Sequence, residues 1–368
     1  MKIIDVEIRA CSVADAEAIE RVNLHGGHMP DVTVITLHTD EGISGTSFGF
    51  GGLDARATSM MFQQLVPFFL GRDPLAREKN AREFRRFDRS WNHVPIWAYG
   101  PFDNACWDIA GKRAAMPIFD LVGRSAERAP VYVSSMFMGT TEEYVAQALE
   151  VKGAGFKAYK LHPPGNMQQD LEICTAVRDA VGPDFRLMSD PVAVYTFDEA
   201  LRMGRHLEEL NFYWFEEPLY DYDMASLAKL SDALDIPIAG TETLIGQHQL
   251  TAQYVAARAV DIVRTDASWR GGITSVLKTA HLAESFGLQC EIHTTIYHPL
   301  ELANLQCVLS ISNSEYFELL YPMDQFSFGL KTPLDIRDGY IYPPAGPGLG
   351  ADYDWDAIDN ATVAHFTS

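Results

Sequence analysis

Three short apolar runs near the middle of the chain each end on acid: FRLMSD on Asp190, FYWFEE on Glu216 and Glu217, and IPIAGTE on Glu242. Asp190, Glu216 and Glu242 follow one another at intervals of 26 residues, the length that one strand, one helix and two short loops require. Parallel strands at that period bring their C-terminal ends to one rim, so the three carboxylates gather there. They would repel one another strongly unless a cation held them, and ligands that are all oxygen favour a hard ion, Mg²⁺. Reading the other strand ends the same way adds Lys160 and His162 in FKAYKLH, Asp266 in VDIVRTD, His293 in LQCEIH and Glu318 in EYFE. A lone histidine or a lone strand-end aspartate has a plain structural explanation, as a satisfied side chain or a helix N-cap. Ionisable residues at seven successive strand ends do not. Glu217 and His298 are read as structural.

The elements that must position these residues form a strand-then-helix repeat from Val131 onward. VYVSS leads into the helix TEEYVAQALEVKGAG, which stops at Gly155, and FKAYKLH leads into a helix around 168–180. Amphipathic helices over 198–210 and 223–234 follow later strands. From Asp190 to Glu318 the strand ends recur every 24 to 27 residues, and eight strands at one period predict a (β/α) barrel whose site lies at its C-terminal rim. The least regular stretch lies between His293 and Glu318, where ELANLQCVLSISN must supply the helix. Ahead of the barrel, residues 2–10 and 32–49 read as antiparallel strands turned at Asp40-Glu41-Gly42, with helical patterns around 55–70, 75–90 and 100–114. That is a small α+β domain. Between its strands AEAIERVNLHGGHMPD, with His25 and His28, is polar, glycine-bearing and poorly periodic, hence a mobile loop. The tail from Lys331, rich in Pro-Pro, Gly-Pro and Gly-Leu-Gly, has room for turns and short strands only, and is expected to pack back on the first domain.

The chain has 368 residues, enough for one barrel and a smaller companion domain. Its 50 acidic and 29 basic residues give a formal charge of −21, which disfavours nucleic acid or an anionic membrane surface as a partner. Five widely spaced cysteines without a C-x-x-C pair fit a reducing compartment. The alternating start MKIIDVEIRACSV reads as a strand and not as a signal peptide, and no apolar run approaches a membrane span. A cytoplasmic protein is expected.

Taken together, GFKAYKLH, RLMSDP, WFEEP, IAGTE, DIVRTDASWRGGIT, EIHTT and YFELLYP, with TDEGISG in front and PGLG behind, resemble the enolase superfamily in its mandelate racemase-like group. The resemblance covers nearly the whole chain. It implies a (β/α)7β barrel over 126–330 beneath an α+β capping domain built from 1–125 and completed by 331–368. It also implies that Asp190, Glu216 and Glu242 ligate Mg²⁺, that Asp266 and His293 form a dyad, and that Glu318 is a neutral acid hydrogen-bonding the substrate carboxylate. The loop with His25 and His28 would close over the substrate. The family usually carries Lys-x-Lys at the end of the second barrel strand, whereas this chain has Lys160-Leu161-His162; period two keeps residues 160 and 162 on one face.

Such a site removes a proton α to a carboxylate. The ion stabilises the charge that develops, and a histidine paired with aspartate takes the proton. The expected activity is dehydration of a sugar acid to its 2-keto-3-deoxy product. Racemisation of a 2-hydroxy acid between His293 and His162, and cycloisomerisation of an anhydro sugar acid or lactone, are the alternatives, with a non-catalytic structural protein as the reading from another class. A homo-oligomer, dimer or octamer, is expected from the same resemblance.

Overall fold

The computed structural model describes residues 1–13 and 31–368; His25 and His28 lie outside the described residues. β1 (Ile3–Cys11), β2 (Asp31–Thr39) and β3 (Ser44–Gly52) form an antiparallel sheet. Its buried face, with Val6, Ile8, Ile35 and Leu37, packs against Phe62, Phe84, Tyr99 and Phe102 of the helices Ala55–Gln63, Arg77–Phe87 and Ile96–Ala114.

Eight parallel strands follow: β4 (Ala129–Ser134), β5 (Ala158–Leu161), β6 (Arg186–Ser189), β7 (Trp214–Glu216), β8 (Ile238–Gly240), β9 (Ile262–Thr265), β10 (Gln289–Ile292) and β11 (Phe317–Leu320). Parallel ladders join β4 to β10 in chain order, and β11 pairs with β4. A helix lies between each strand and the next, while β11 is followed by a single 3₁₀ turn, Met323–Phe326, which makes the barrel (β/α)7β. The irregular stretch before Glu318 does supply its helix, His298–Val308. No ladder joins β10 to β11. There Cys290 N–H donates to the Asn313 carbonyl (2.7 Å), and the buried Glu291 carboxylate accepts the backbone N–H groups of Glu315 (2.8 Å) and Tyr316 (3.1 Å). Burial pushes Glu291 up to about 7.

Strand alternation explains why chemistry collects at one end. Tyr132, Ala158, Met188, Trp214, Ala239, Ile262 and Tyr316 form an apolar plug inside the barrel. Two residues on, where side chains return to the interior, stand Ser134, Lys160, Asp190, Glu216, Arg264 and Glu318. At β8 the alternation breaks: Thr241 takes φ +85°, and the acid that joins the others is Glu242, three positions beyond Ala239.

The tail divides. The hairpin of β12 (Asp335–Arg337) and β13 (Tyr340–Tyr342) pairs with Ala129 and Pro130 at the start of β4, and so belongs to the barrel and not to the first domain, where the sequence reading put it. These two residues precede the β4 positions that pair with β5 and β11, which leaves their backbone free for the hairpin. β14 (Thr362–Thr367) returns to pair with β1.

The helix Ile96–Ala114 ties the layers together through buried polar side chains. Asp103 accepts both the N–H (2.8 Å) and hydroxyl (2.9 Å) of Thr274 at the start of the helix Gly272–Ser285, whose N-cap is a glycine with no side chain to offer. Asp108 accepts the N–H groups of Thr46 in β3 (3.0 Å) and Leu349 in the tail (2.9 Å). Gly348, in the PGLG segment, has φ +72°, and a Cβ there would lie 2.1 Å from Asp108 Oδ1. Gly348→Ala is therefore expected to cost about 2 kcal/mol or more, read as a lower urea midpoint; an unchanged midpoint would contradict this account of the tail.

Candidate active site

β6, β7 and the bend after β8 bring Asp190, Glu216 and Glu242 together: all three are buried, with a carboxylate oxygen from each within 4.8 Å of the others. Asp190 Oδ1 accepts the N–H of Val192 (3.0 Å), and its Oδ2 faces Lys160 Nζ (3.2 Å) and His162 Nε2 (3.1 Å). Glu216 Oε2 accepts from the indole of Trp214 (2.8 Å), and its Oε1 lies between Lys160 Nζ (3.0 Å) and Arg264 Nε (2.8 Å). Glu242 Oε2 is buried and has no hydrogen-bond partner. Burial, followed by the nearby Glu216 and Asp190, holds Glu242 well above the usual carboxylate range. An orphaned buried oxygen beside two further acids, with oxygen as the only donor type, fits Mg²⁺.

Two cations are already built in. Lys160 is fully buried, and its Nζ also lies 2.8 Å from Glu318 Oε1. Arg264, equally buried, points Nη2 at Glu318 Oε2 (2.6 Å), which also accepts the N–H of Thr294 (3.0 Å). Burial alone would raise the pKa of Glu318, but Lys160, Arg264 and His293 outweigh it and hold the carboxyl well below its ordinary value. The family resemblance implied a neutral Glu318, whereas cations on both of its oxygens favour the ionised carboxylate.

His293 follows β10 and Asp266 follows β9. His293 Nδ1 meets Asp266 Oδ2 at 3.0 Å, and Asp266 Oδ1 is fixed by the N–H groups of Ser268 and Trp269, both at 2.6 Å. A carboxylate can only accept, so Nδ1 carries the proton and Nε2 turns toward Glu242 Oε1, 3.6 Å away. Burial opposes the imidazolium, yet the hydrogen bond and charge of Asp266 leave the His293 pKa raised overall. His162 is anchored in the same manner: its Nδ1 donates to the Ser135 carbonyl (2.6 Å), which leaves Nε2 on Asp190. The two imidazoles therefore present Nε2 to the acids from opposite flanks, one beside Asp190 and one beside Glu242.

Several residues that position this site escaped the strand-end reading. Asn304, on the helix after β10, accepts the N–H of Ala267 (2.9 Å) and donates to the carbonyl of His293 (2.9 Å), so it grips the backbone of both dyad strands. Asn104 of the first domain donates to the Ala267 carbonyl (3.2 Å) from the other side. Trp269 lies against the His293 ring, centroids 4.9 Å apart, and meets Phe50 of β3 edge-on. Arg264 was legible in principle, as the inward residue two positions before Asp266. Glu217 holds the backbone N–H of Glu242 (3.1 Å) at φ +36°, and His298 is buried with neither ring nitrogen paired; neither joins the three acids. A cavity of about 940 Å³ walled by Phe50, Trp97, Ile245, Gln247 and Trp269 opens beside the dyad, between the first domain and the barrel rim.

Residues 7–123 match the mandelate racemase / muconate lactonizing enzyme N-terminal domain, and residues 143–357 match the enolase C-terminal domain-like family. The chain belongs to the enolase superfamily, in its mandelate racemase-like group. It is 31% identical to arabinonate dehydratase of Saccharolobus solfataricus, over 88% of each chain. It is 28% identical to D-galactarolactone cycloisomerase of Agrobacterium fabrum, over 88% of this chain and 89% of the other. Among solved structures, D-glucarate dehydratase from Agrobacterium tumefaciens complexed with magnesium superposes with a TM-score of 0.85 at 33% identity, covering 99% of this chain and 100% of that one.

Titration calorimetry should detect one Mg²⁺ per chain, with binding about 100-fold weaker or lost in Glu242→Gln and in Asp190→Asn. Glu217→Gln should keep it, because an amide oxygen still accepts the N–H of Glu242. Loss of binding in Glu217→Gln alone would move the site by one residue.

Proposed function

We propose that this protein is a Mg²⁺-dependent sugar-acid dehydratase, which removes the α-proton of the acid and expels the 3-hydroxyl to leave a 2-keto-3-deoxy acid. The observation that carries the reading is the convergence, on one barrel mouth, of three buried acids and a histidine whose tautomer is fixed by aspartate. Dehydratases among the relatives, one of them complexed with magnesium, support it.

In this reading Asp190, Glu216 and Glu242 hold Mg²⁺, which when bound lowers the cost of the negative charge that builds on the substrate carboxylate. His293 Nε2 takes the α-proton, and Asp266 both orients the ring and stabilises its charged form. The same imidazolium returns its proton to the departing 3-hydroxyl as water leaves, so one base serves both halves of an elimination. Lys160 keeps a fixed positive charge beside the reacting carboxylate, and Glu318 holds Lys160 there. His25 and His28 are assigned to substrate contact. A cytoplasmic homo-oligomer completes the proposal; the exposed Leu53, Trp91 and Ile245 are large apolar side chains that a subunit contact would cover.

One observation favours a second reading. Because His162 also presents Nε2 to the acids, a two-base racemisation of a 2-hydroxy acid has a second imidazole on the opposite flank to exchange the proton. The third reading, cycloisomerisation of an anhydro acid or lactone, needs the same α-proton step. Screening sugar-acid stereoisomers with Mg²⁺ for 2-keto product should find a substrate. On that substrate His293→Asn should abolish turnover, roughly 10³-fold or more, while His162→Asn slows it only modestly. Racemisation without loss of water, stopped by His162→Asn, would establish the second reading instead.

A further inference from the structure

Arg264 stands one alternation below Asp266 on β9, with its side chain wholly inside the barrel. Its Nε is 2.8 Å from Glu216 Oε1 and 3.6 Å from Glu242 Oε2, and Nη2 is 2.6 Å from Glu318 Oε2. Nη1 faces the carbonyls of Glu291 and Ile292 at 3.4 and 3.5 Å, and the guanidinium lies 5.9 Å from the centroid of the Trp214 ring. The Nε–H makes no hydrogen bond, so its hold on Glu216 is one of charge and not of aligned donor and acceptor. Lys160 reaches Asp190, Glu216 and Glu318 from the other side. Among the described residues, these are the only lysine and arginine paired with the four acids Asp190, Glu216, Glu242 and Glu318.

Four carboxylates against two fixed cations leave two negative charges, which a divalent ion balances. We propose that Arg264 is a positioning residue that serves as the resident counter-ion of the metal centre, resting on the reading of Asp190, Glu216 and Glu242 as its ligands. With the ion away, Arg264 and Lys160 keep the acids from driving one another apart. With the ion bound, Arg264 is the charge that brings the cluster to neutrality, so that an anionic substrate meets no net repulsion. It also weakens the ion's hold, because it shares Glu216 Oε1 and stands beside Glu242.

This gives two variants with opposite signs. Arg264→Met removes a positive charge and should bind Mg²⁺ about tenfold more tightly, since a unit charge this close in a buried site outweighs screening. In EDTA its melting temperature should fall further below the wild type than it does in Mg²⁺, and its KM for an acid substrate should rise. Glu318→Gln removes an acid that occupies both cations, leaves them to the metal acids, and should bind Mg²⁺ about tenfold more weakly. Calorimetry with MgCl₂ on the three proteins reads both. Equal or weaker binding in Arg264→Met overturns the inference. Should that variant not fold, binding in Glu318→Gln as tight as the wild type overturns it alone. Absence of Mg²⁺ binding in the wild type would overturn the ligand assignment and the role of Arg264 with it, whereas equal or weaker binding in Arg264→Met beside a wild type that binds overturns the role of Arg264 alone.

Discussion

Asp190, Glu216, Glu242, Asp266 and Glu318 are five acids buried in one barrel mouth, and most of the structure around them answers their mutual repulsion. A buried carboxylate is tolerated only when paired or protonated. Here the pairing is divided: Lys160 and Arg264 together offset two of the four charges on Glu318, Asp190, Glu216 and Glu242, His293 pairs with Asp266, and Glu242 Oε2 is left without a hydrogen bond. That remainder is what an ion takes up. With that ion in place, the fixed positive charges of Lys160 and Arg264 beside Glu216 lie where a substrate carboxylate gaining charge during proton removal is best stabilised.

Holding such a cluster requires a rigid frame, and the frame comes from outside the barrel as well as from its strands. The helix Ile96–Ala114 reaches the start of the helix Gly272–Ser285 through Asp103, the backbone next to Asp266 through Asn104, and the tail through Asp108. Asn304 grips the dyad from the barrel's own helix. Phe50 and Trp269 carry contact from β3 to the His293 ring. The first domain therefore helps position His293 in addition to walling the cavity.

Much of this was legible in the chain because a barrel strand announces itself by an apolar run and its active end by the polar residue that stops the run. That signal located Lys160, Asp190, Glu216, Asp266, His293 and Glu318. It was weaker for what lies one step inside the strand: Arg264 and Glu291 sit within apolar runs, on the inward face that alternation from Asp266 and His293 defines. The protonation of Glu318 could not be read, because it depends on Lys160 and Arg264, each contributed by a different strand far away in sequence. Asn104 and Asn304 look like any other helical asparagine until their partners are known. The tail hairpin was misplaced because three-residue strands carry too little pattern to say which edge they join.

The central claim, that three acids hold an ion while two resident cations hold the acids, is tested most directly by anomalous diffraction from crystals grown with Mn²⁺ as a Mg²⁺ substitute. The account predicts a single strong peak within bonding distance of Asp190, Glu216 and Glu242, with Glu318 still bound to Lys160 and Arg264 and making no contact with the ion. A peak coordinated by Glu318 or Glu217, or no peak among these acids at saturating metal, would contradict it.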